Sequence, residues 1–155
     1  MKRQAEPRTL AHAQQLDHQL CFALYSASLA MSKLYKPLLD ELGLTYPQYL
    51  VMLVLWERDG QTVSALGERL GLDSGTLTPL LKRLEAGDLV GRERDTQDER
   101  RVIVSLKPAG QQLQKPAARI PACLLQSVSC DLSEIVTLTE KIRLLRQQLV
   151  ERHLA

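Results

Sequence analysis

The sequence predicts a mainly helical fold with one small β-hairpin, and three observations predict it. Apolar residues recur at three- and four-residue steps, as in Leu16, Leu20, Leu24, Ala27, Met31 and Leu34. The segment TVSALGERLGLDSGTLTPLLKRLEAGDLV divides into two short amphipathic stretches around the turn GLDSG. Two strand-like runs, LVGRER and RRVIVSL, follow at once, joined by the polar stretch DTQDER.

Taken in order, the first periodic stretch is a long helix that ends near Tyr35, because Pro37 disfavours helical geometry at Lys36. A short helix LLDELG follows and stops at Gly43. In LTYPQYLVMLVLWERDG, Thr45 is the N-cap, Pro47 stands in the first turn and Gly60 is the terminator. Val63, Leu66 and Leu70 form the inner face of the next helix, and Leu77, Leu80, Leu81 and Leu84 that of its successor. Two such helices about a glycine turn make a helix-turn-helix, and the hairpin after it is a wing. Beyond Pro108 helical texture runs to about Gln126, breaks around SVSCD, and restarts in a final helix. Asp131 with Glu134 fits a capping box there, and Ile135, Leu138, Ile142, Leu145 and Leu149 give an apolar stripe.

Composition narrows the class. With 155 residues, 45% hydrophobic and 25% charged, the chain suits one globular domain with a real core. Its longest apolar runs fall short of the roughly 18 residues that span a bilayer, and its N-terminus lacks the apolar core of a secretion signal. A cytoplasmic protein with no membrane partner is expected. Cys21, Cys123 and Cys130 are too few and scattered for a secreted disulfide framework and match no zinc spacing. His18 and Cys21 stand at i, i+3, but two ligands are too few, and His12 and His153 lie near opposite ends. No metal and no cofactor are expected.

The second helix of a helix-turn-helix enters the major groove, so the outward Ser74, Thr76, Thr78, Lys82 and Arg83 are candidates for phosphate and base-edge contacts with double-stranded DNA. At the wing tip, Arg94 or Arg100 suits the minor groove, and Asp98 could orient Arg100 through a bidentate pair. Local charge does not carry this reading, since residues 82–101 hold six basic and six acidic side chains and the net charge is only +2. The pattern of elements carries it. Terminal stripes longer than one small domain needs point to a two-fold homodimer on an inverted-repeat operator. The expected organisation is a single domain over 1–155, with dimerisation helices at 8–45 and 108–155 and the winged DNA-binding region at 46–107.

The segment TVSALGERLGLDSGTLTPLLKRLEAGDLVGRERDTQDERRVIVSL resembles the MarR family of winged-helix repressors, whose Asp-x-Arg wing stands here as DER. The resemblance implies that Asp98 and Arg100 work as a pair and that the terminal helices form the dimer interface. The stretch QLCFALYSASLAMSKLYKPLLDELGLTYPQYLVMLVLWERDG is similar to one branch of that family, the organic hydroperoxide resistance regulators.

Taken alone, Cys21 among Leu20, Phe22, Leu24 and Tyr25 reads as a small buried hydrophobe. The clustering of Tyr25, Tyr35, Tyr46 and Tyr49 in a chain with only 4% aromatics adds a second reading. A tyrosine hydroxyl can donate to a thiolate and stabilise it, and the thiolate is the form that attacks a peroxide. Tyr35 follows Cys21 by fourteen residues, about 21 Å along a straight helix, so the two cannot touch within one unbent helix. The partner's copies could.

The resemblance implies this arrangement, with Cys21 as the redox sensor and the partner's Tyr35 and Tyr46 as its hydrogen-bond donors. In two-cysteine members of the branch a resolving cysteine lies near the end of the family's fifth helix. Alignment of IPACLLQSVSCDLSE puts that position at Gln126, with Cys123 about a turn before and Cys130 about a turn after. Either could resolve a sulfenic acid, with Cys130 favoured because it falls in the helix break; an external thiol is a third route. The implied function is a non-enzymatic repressor released when organic hydroperoxide oxidises Cys21. The alternatives are a repressor released by a small aromatic ligand with Cys21 structural, and a thiol peroxidase.

Overall fold

The computed structural model describes residues 14–153. Residues 8–13 and 154–155 of the expected flanking segments, His12 among them, lie outside the described residues. The chain forms two compact units, one ending at Ala117 and one starting at Ala118.

In the first unit, a 3-10 turn at Leu16–His18 precedes α1 (Leu20–Asp40). This helix runs through Pro37 instead of ending near Tyr35, and no separate LLDELG helix forms. Two features make the proline tolerable. Its ring is exposed, which leaves the carbonyl of Lys33, deprived of its donor, near solvent. The helix is also locked beyond it: Gly43, at φ 66°, donates to the Asp40 carbonyl, and Leu44 donates to that of Leu39. This pair of hydrogen bonds is a Schellman stop, and Leu39 and Leu44 are both buried beneath it.

Helix α2 (Tyr46–Glu57) starts as expected, with Thr45 and Gln48 in a reciprocal capping box. It ends at Glu57, short of Gly60, which turns the chain at φ 68° toward β1 (Gln61–Thr62). Because α2 is apolar around most of its circumference, it lies at the centre of the unit, with Tyr49, Val51, Met52 and Leu55 buried.

Helices α3 (Val63–Leu70) and α4 (Ser74–Ala86) form the expected helix-turn-helix. Their predicted inner leucines Leu66, Leu77, Leu80, Leu81 and Leu84 are buried, while Val63 and Leu70 are half-buried. Between the helices, Gly71 takes φ 66° and Leu72 donates back to Gly67. Gly67 permits this closeness, since a Cβ there would come within 2.8 Å of the Leu72 carbonyl oxygen.

The wing is β2 (Val90–Arg94) paired antiparallel with β3 (Val102–Leu106), with Arg92 opposite Val104. The sheet has one strand more than the expected hairpin: β1 pairs with the other edge of β3, giving the order β1-β3-β2. Two residues, Gln61 and Thr62, are too short a run to show alternation. Asp59 secures this edge by accepting from the Gly60 and Leu106 amides, both at 2.8 Å. Short helices α5 (Pro108–Gln112) and α6 (Gln114–Ala117) complete the unit.

The second unit holds α7 (Ile120–Ser127) and α8 (Leu132–His153), separated by the expected break. The helical texture expected from Pro108 to about Gln126 takes the form of three short helices, α5, α6 and α7. Asp131 and Glu134 make the predicted reciprocal cap of α8, at 2.9 and 3.0 Å. Among the described residues no helix is long and apolar enough to cross a membrane.

Candidate functional site

Cys21 stands in the first turn of α1, exposed, on a helix that leaves Leu20, Phe22, Tyr25, Leu29 and Met31 open as well. The reading of Cys21 as a buried hydrophobe is therefore not met within a single chain. The far end of α1 and the start of α2 bring Tyr35 and Tyr46 together, with ring centroids 4.8 Å apart. Tyr49 completes the cluster at 6.1 Å from Tyr35 and 6.4 Å from Tyr46. Burial raises the Tyr35 hydroxyl to about 12, with Tyr46 and Tyr49 adding to the effect, and burial raises Tyr49 as well. Tyr35 therefore keeps its proton across the neutral and mildly alkaline range and stays a donor. Beside the pair lies a cleft of about 240 Å³, lined in part by Ser32, Lys36, Leu39 and Leu44.

The other two thiols are also unpaired: Cys123 is half-buried within α7, and Cys130 is exposed in the break before α8. The predicted stripe of α8 is open along much of its length, with Leu138, Ile142 and Leu149 exposed. Among the described residues no group of three or more His, Cys, Asp or Glu side chains is placed to hold a metal ion.

On the helix-turn-helix, Ser74, Lys82 and Arg83 are exposed on α4, whereas Thr78 is half-buried. The Thr76 hydroxyl is engaged: Asp73 caps α4 by accepting from the Thr76 amide at 2.8 Å and its hydroxyl at 3.2 Å. Those bonds hold the Asp73 carboxyl below its usual range. At the wing tip Arg94 is exposed and Arg100 is almost fully so, at 96%. The expected bidentate pair is absent. Arg100 Nε lies 3.7 Å from Asp98 Oδ1, while that same oxygen accepts from the Arg100 backbone amide at 3.1 Å. Asp98 shapes the turn through the backbone and holds the exposed guanidinium only by a single long ion-pair contact.

Three fastenings escaped the sequence reading. Arg92 of β2 donates twice to Glu85 of α4, at 2.6 and 3.0 Å, tying the wing to the helix and holding Glu85 below its usual range. Lys107 bonds Asp88 at 2.7 Å. Trp56 of α2 donates to the Gly110 carbonyl at 2.9 Å. Each joins residues at least seven apart in sequence, where periodicity is silent.

Comparison with known proteins agrees with this architecture. The model of the transcriptional regulator SarA/Rot family matches residues 33–115. The chain is 54% identical over 110 residues to the organic hydroperoxide resistance transcriptional regulator of Bacillus subtilis (strain 168), covering 71% of this chain and 75% of that protein. Reduced AbfR bound to DNA matches at TM-score 0.80 and 37% identity, over 94% of this chain and 99% of that one. Disulfide-formed AbfR matches at 0.63 and 37% identity, over 94% and 97%. AbfR is a protein of Staphylococcus epidermidis. A helix-turn-helix bearing a wing, a regulator family model over more than half its length and this degree of identity lead to one conclusion: the chain belongs to the MarR/SarA-type winged-helix transcriptional regulators.

Proposed function

We propose that the chain is a homodimeric cytoplasmic repressor that holds an inverted-repeat operator while reduced and leaves it when an organic hydroperoxide oxidises Cys21. One observation carries the reading. Tyr35 and Tyr46 are paired at 4.8 Å, yet Cys21 lies about 21 Å back along the helix that carries Tyr35, so only a second chain can bring thiol and hydroxyls together. The open apolar residues of α1 and α8 supply surface for that second chain, with segments 8–45 and 108–155 serving dimerisation and 46–107 reading DNA. Its relatives support the chemistry: one is named for organic hydroperoxide resistance, and AbfR is known in reduced, DNA-bound and disulfide forms.

In this reading the Cys21 thiolate attacks the terminal oxygen of ROOH. The O–O bond breaks, the alcohol ROH leaves after taking a proton, and Cys21 becomes a sulfenic acid. A thiol of the partner, Cys130 first and Cys123 second, then attacks the sulfenic sulfur, forming the disulfide and releasing water. Ser74, Thr76, Thr78, Lys82 and Arg83 of α4 meet the major groove, and Arg94 and Arg100, with Asp98 shaping the turn, meet the minor groove.

The test uses a duplex selected from a random pool by the reduced protein. Cumene hydroperoxide is expected to release it while an interchain crosslink appears on a non-reducing gel. Cys130→Ser is expected to abolish the crosslink and Cys123→Ser to spare it. Release without oxidation of any cysteine sinks the redox reading.

The cleft beside Tyr35 and Tyr46 favours a second reading, release by a small aromatic ligand. There Cys21→Ser leaves induction intact, and the inducer shields the tyrosines. A thiol peroxidase gains nothing from the fold, and the relatives are named as regulators.

A further inference from the structure

The tyrosine cluster does not end at Tyr49. Seven residues and two helical turns further along α2, Trp56 meets the Tyr49 ring edge-on at a centroid distance of 6.4 Å. Its indole N–H donates to the Gly110 carbonyl at 2.9 Å. Gly110 is itself pressed against backbone, because a Cβ at that position would lie 2.1 Å from the Leu89 carbonyl oxygen.

Leu89 is the joint between the two DNA-reading elements. Its amide donates to the Leu84 carbonyl at 3.0 Å and closes α4; its carbonyl accepts from the Lys107 amide at 3.0 Å, just beyond β3; β2 begins at the next residue. A continuous series of contacts thus runs from Tyr35 and Tyr46 through Tyr49 and Trp56 to the point where helix and wing meet. The start of the series borders the open cleft at Tyr35 and Tyr46, but its inner links are packed: Tyr49 is 3% exposed and Gly110 is buried, so a displacement of Tyr49 meets close-packed neighbours.

We propose that Trp56 is a positioning residue that sets α4 and the wing relative to the tyrosine cluster, so that a change at Cys21 reaches the DNA-reading elements through Tyr49, Trp56 and the Gly110–Leu89 contact. This rests on the redox reading above. Packed elements with discrete arrangements carry such coupling, and intermediacy in space becomes a mechanism only when altering the link alters the coupling.

The experiment uses Trp56→Phe, which retains a ring against Tyr49 and removes the N–H donor. Operator Kd is measured for the reduced and the hydroperoxide-treated protein, with oxidation of Cys21 followed by mass spectrometry. The reduced variant is expected to bind within about threefold of wild type and its Cys21 to oxidise at the wild-type rate, while the oxidised-to-reduced ratio of Kd falls at least about tenfold. An unchanged ratio at full oxidation overturns the proposal, because a merely structural role would shift both Kd values together. If wild type itself keeps its operator after Cys21 oxidation, the redox reading fails first and this inference falls with it.

Should Trp56→Phe fail to fold, hydrogen exchange on the wild type decides. Oxidation is expected to speed exchange of the Leu89 and Lys107 amides about tenfold or more, and unchanged exchange at both overturns the proposal.

Discussion

Cys21→Ser is expected to remain on the operator at hydroperoxide concentrations that release wild type. A hundredfold rise in Kd, enough to empty a site held near saturation, corresponds to about 2.7 kcal/mol. Closing one interchain disulfide can supply that by favouring a different spacing of the two α4 helices. Serine keeps the size and hydrogen-bonding capacity of the side chain but has no sulfur to oxidise. The reduced variant should therefore bind as wild type does, and its Kd should change less than about twofold on treatment. Gel shift across a hydroperoxide series reads both quantities at once. A serine variant released at the wild-type concentration assigns detection to some other group, with Cys123 and Cys130 the next thiols to replace.

The second large effect is on stability. Gly110→Ala is expected to cost about 3 kcal/mol or more, because the added methyl meets the Leu89 carbonyl, a backbone group fixed by the end of α4 and by Lys107. For a chain of this size that lowers Tm by roughly 10 °C, read by thermal melting. Gly43→Ala provides the contrast. Gly43 has φ 66° with nothing within 4 Å of the new Cβ, so only left-handed strain acts there, about 1–2 kcal/mol. If both variants melt alike, the close approach of Gly110 to Leu89 does not hold in solution.

Much of this architecture was legible because local rules and tertiary structure agree. The spacing of Leu66, Leu77, Leu80, Leu81 and Leu84 gave the helix-turn-helix, and the Thr45 and Asp131 caps stand where their side chains can reach the free amides. The misses share one cause, a local preference overruled or supplemented by something distant. Pro37 alone argues for a stop, but Leu39 and Leu44 are anchored beyond it. Gln61 and Thr62 become a strand only because β3 offers an edge.

At the candidate site, the clustering of residues was more legible than their individual bonds. Tyr35 and Tyr46 emerged as a pair and the structure brings them together. The expected fork between Asp98 and Arg100 did not form, because Asp98 is committed to the turn's backbone amide. Trp56 gave no signal, since its partner lies 54 residues away.

The central claim is that the sensing thiol of one chain is served by the hydroxyls of another. Mixed dimers test it: one chain carries Cys21→Ser with both tyrosines intact, and its partner carries Tyr35→Phe and Tyr46→Phe with Cys21 intact. The measurement is the rate at which the single remaining Cys21 reacts with hydroperoxide. Sharing between chains predicts the wild-type rate per thiol, although the Tyr35→Phe, Tyr46→Phe homodimer is slower by about tenfold or more. A mixed dimer as slow as that homodimer would contradict the account.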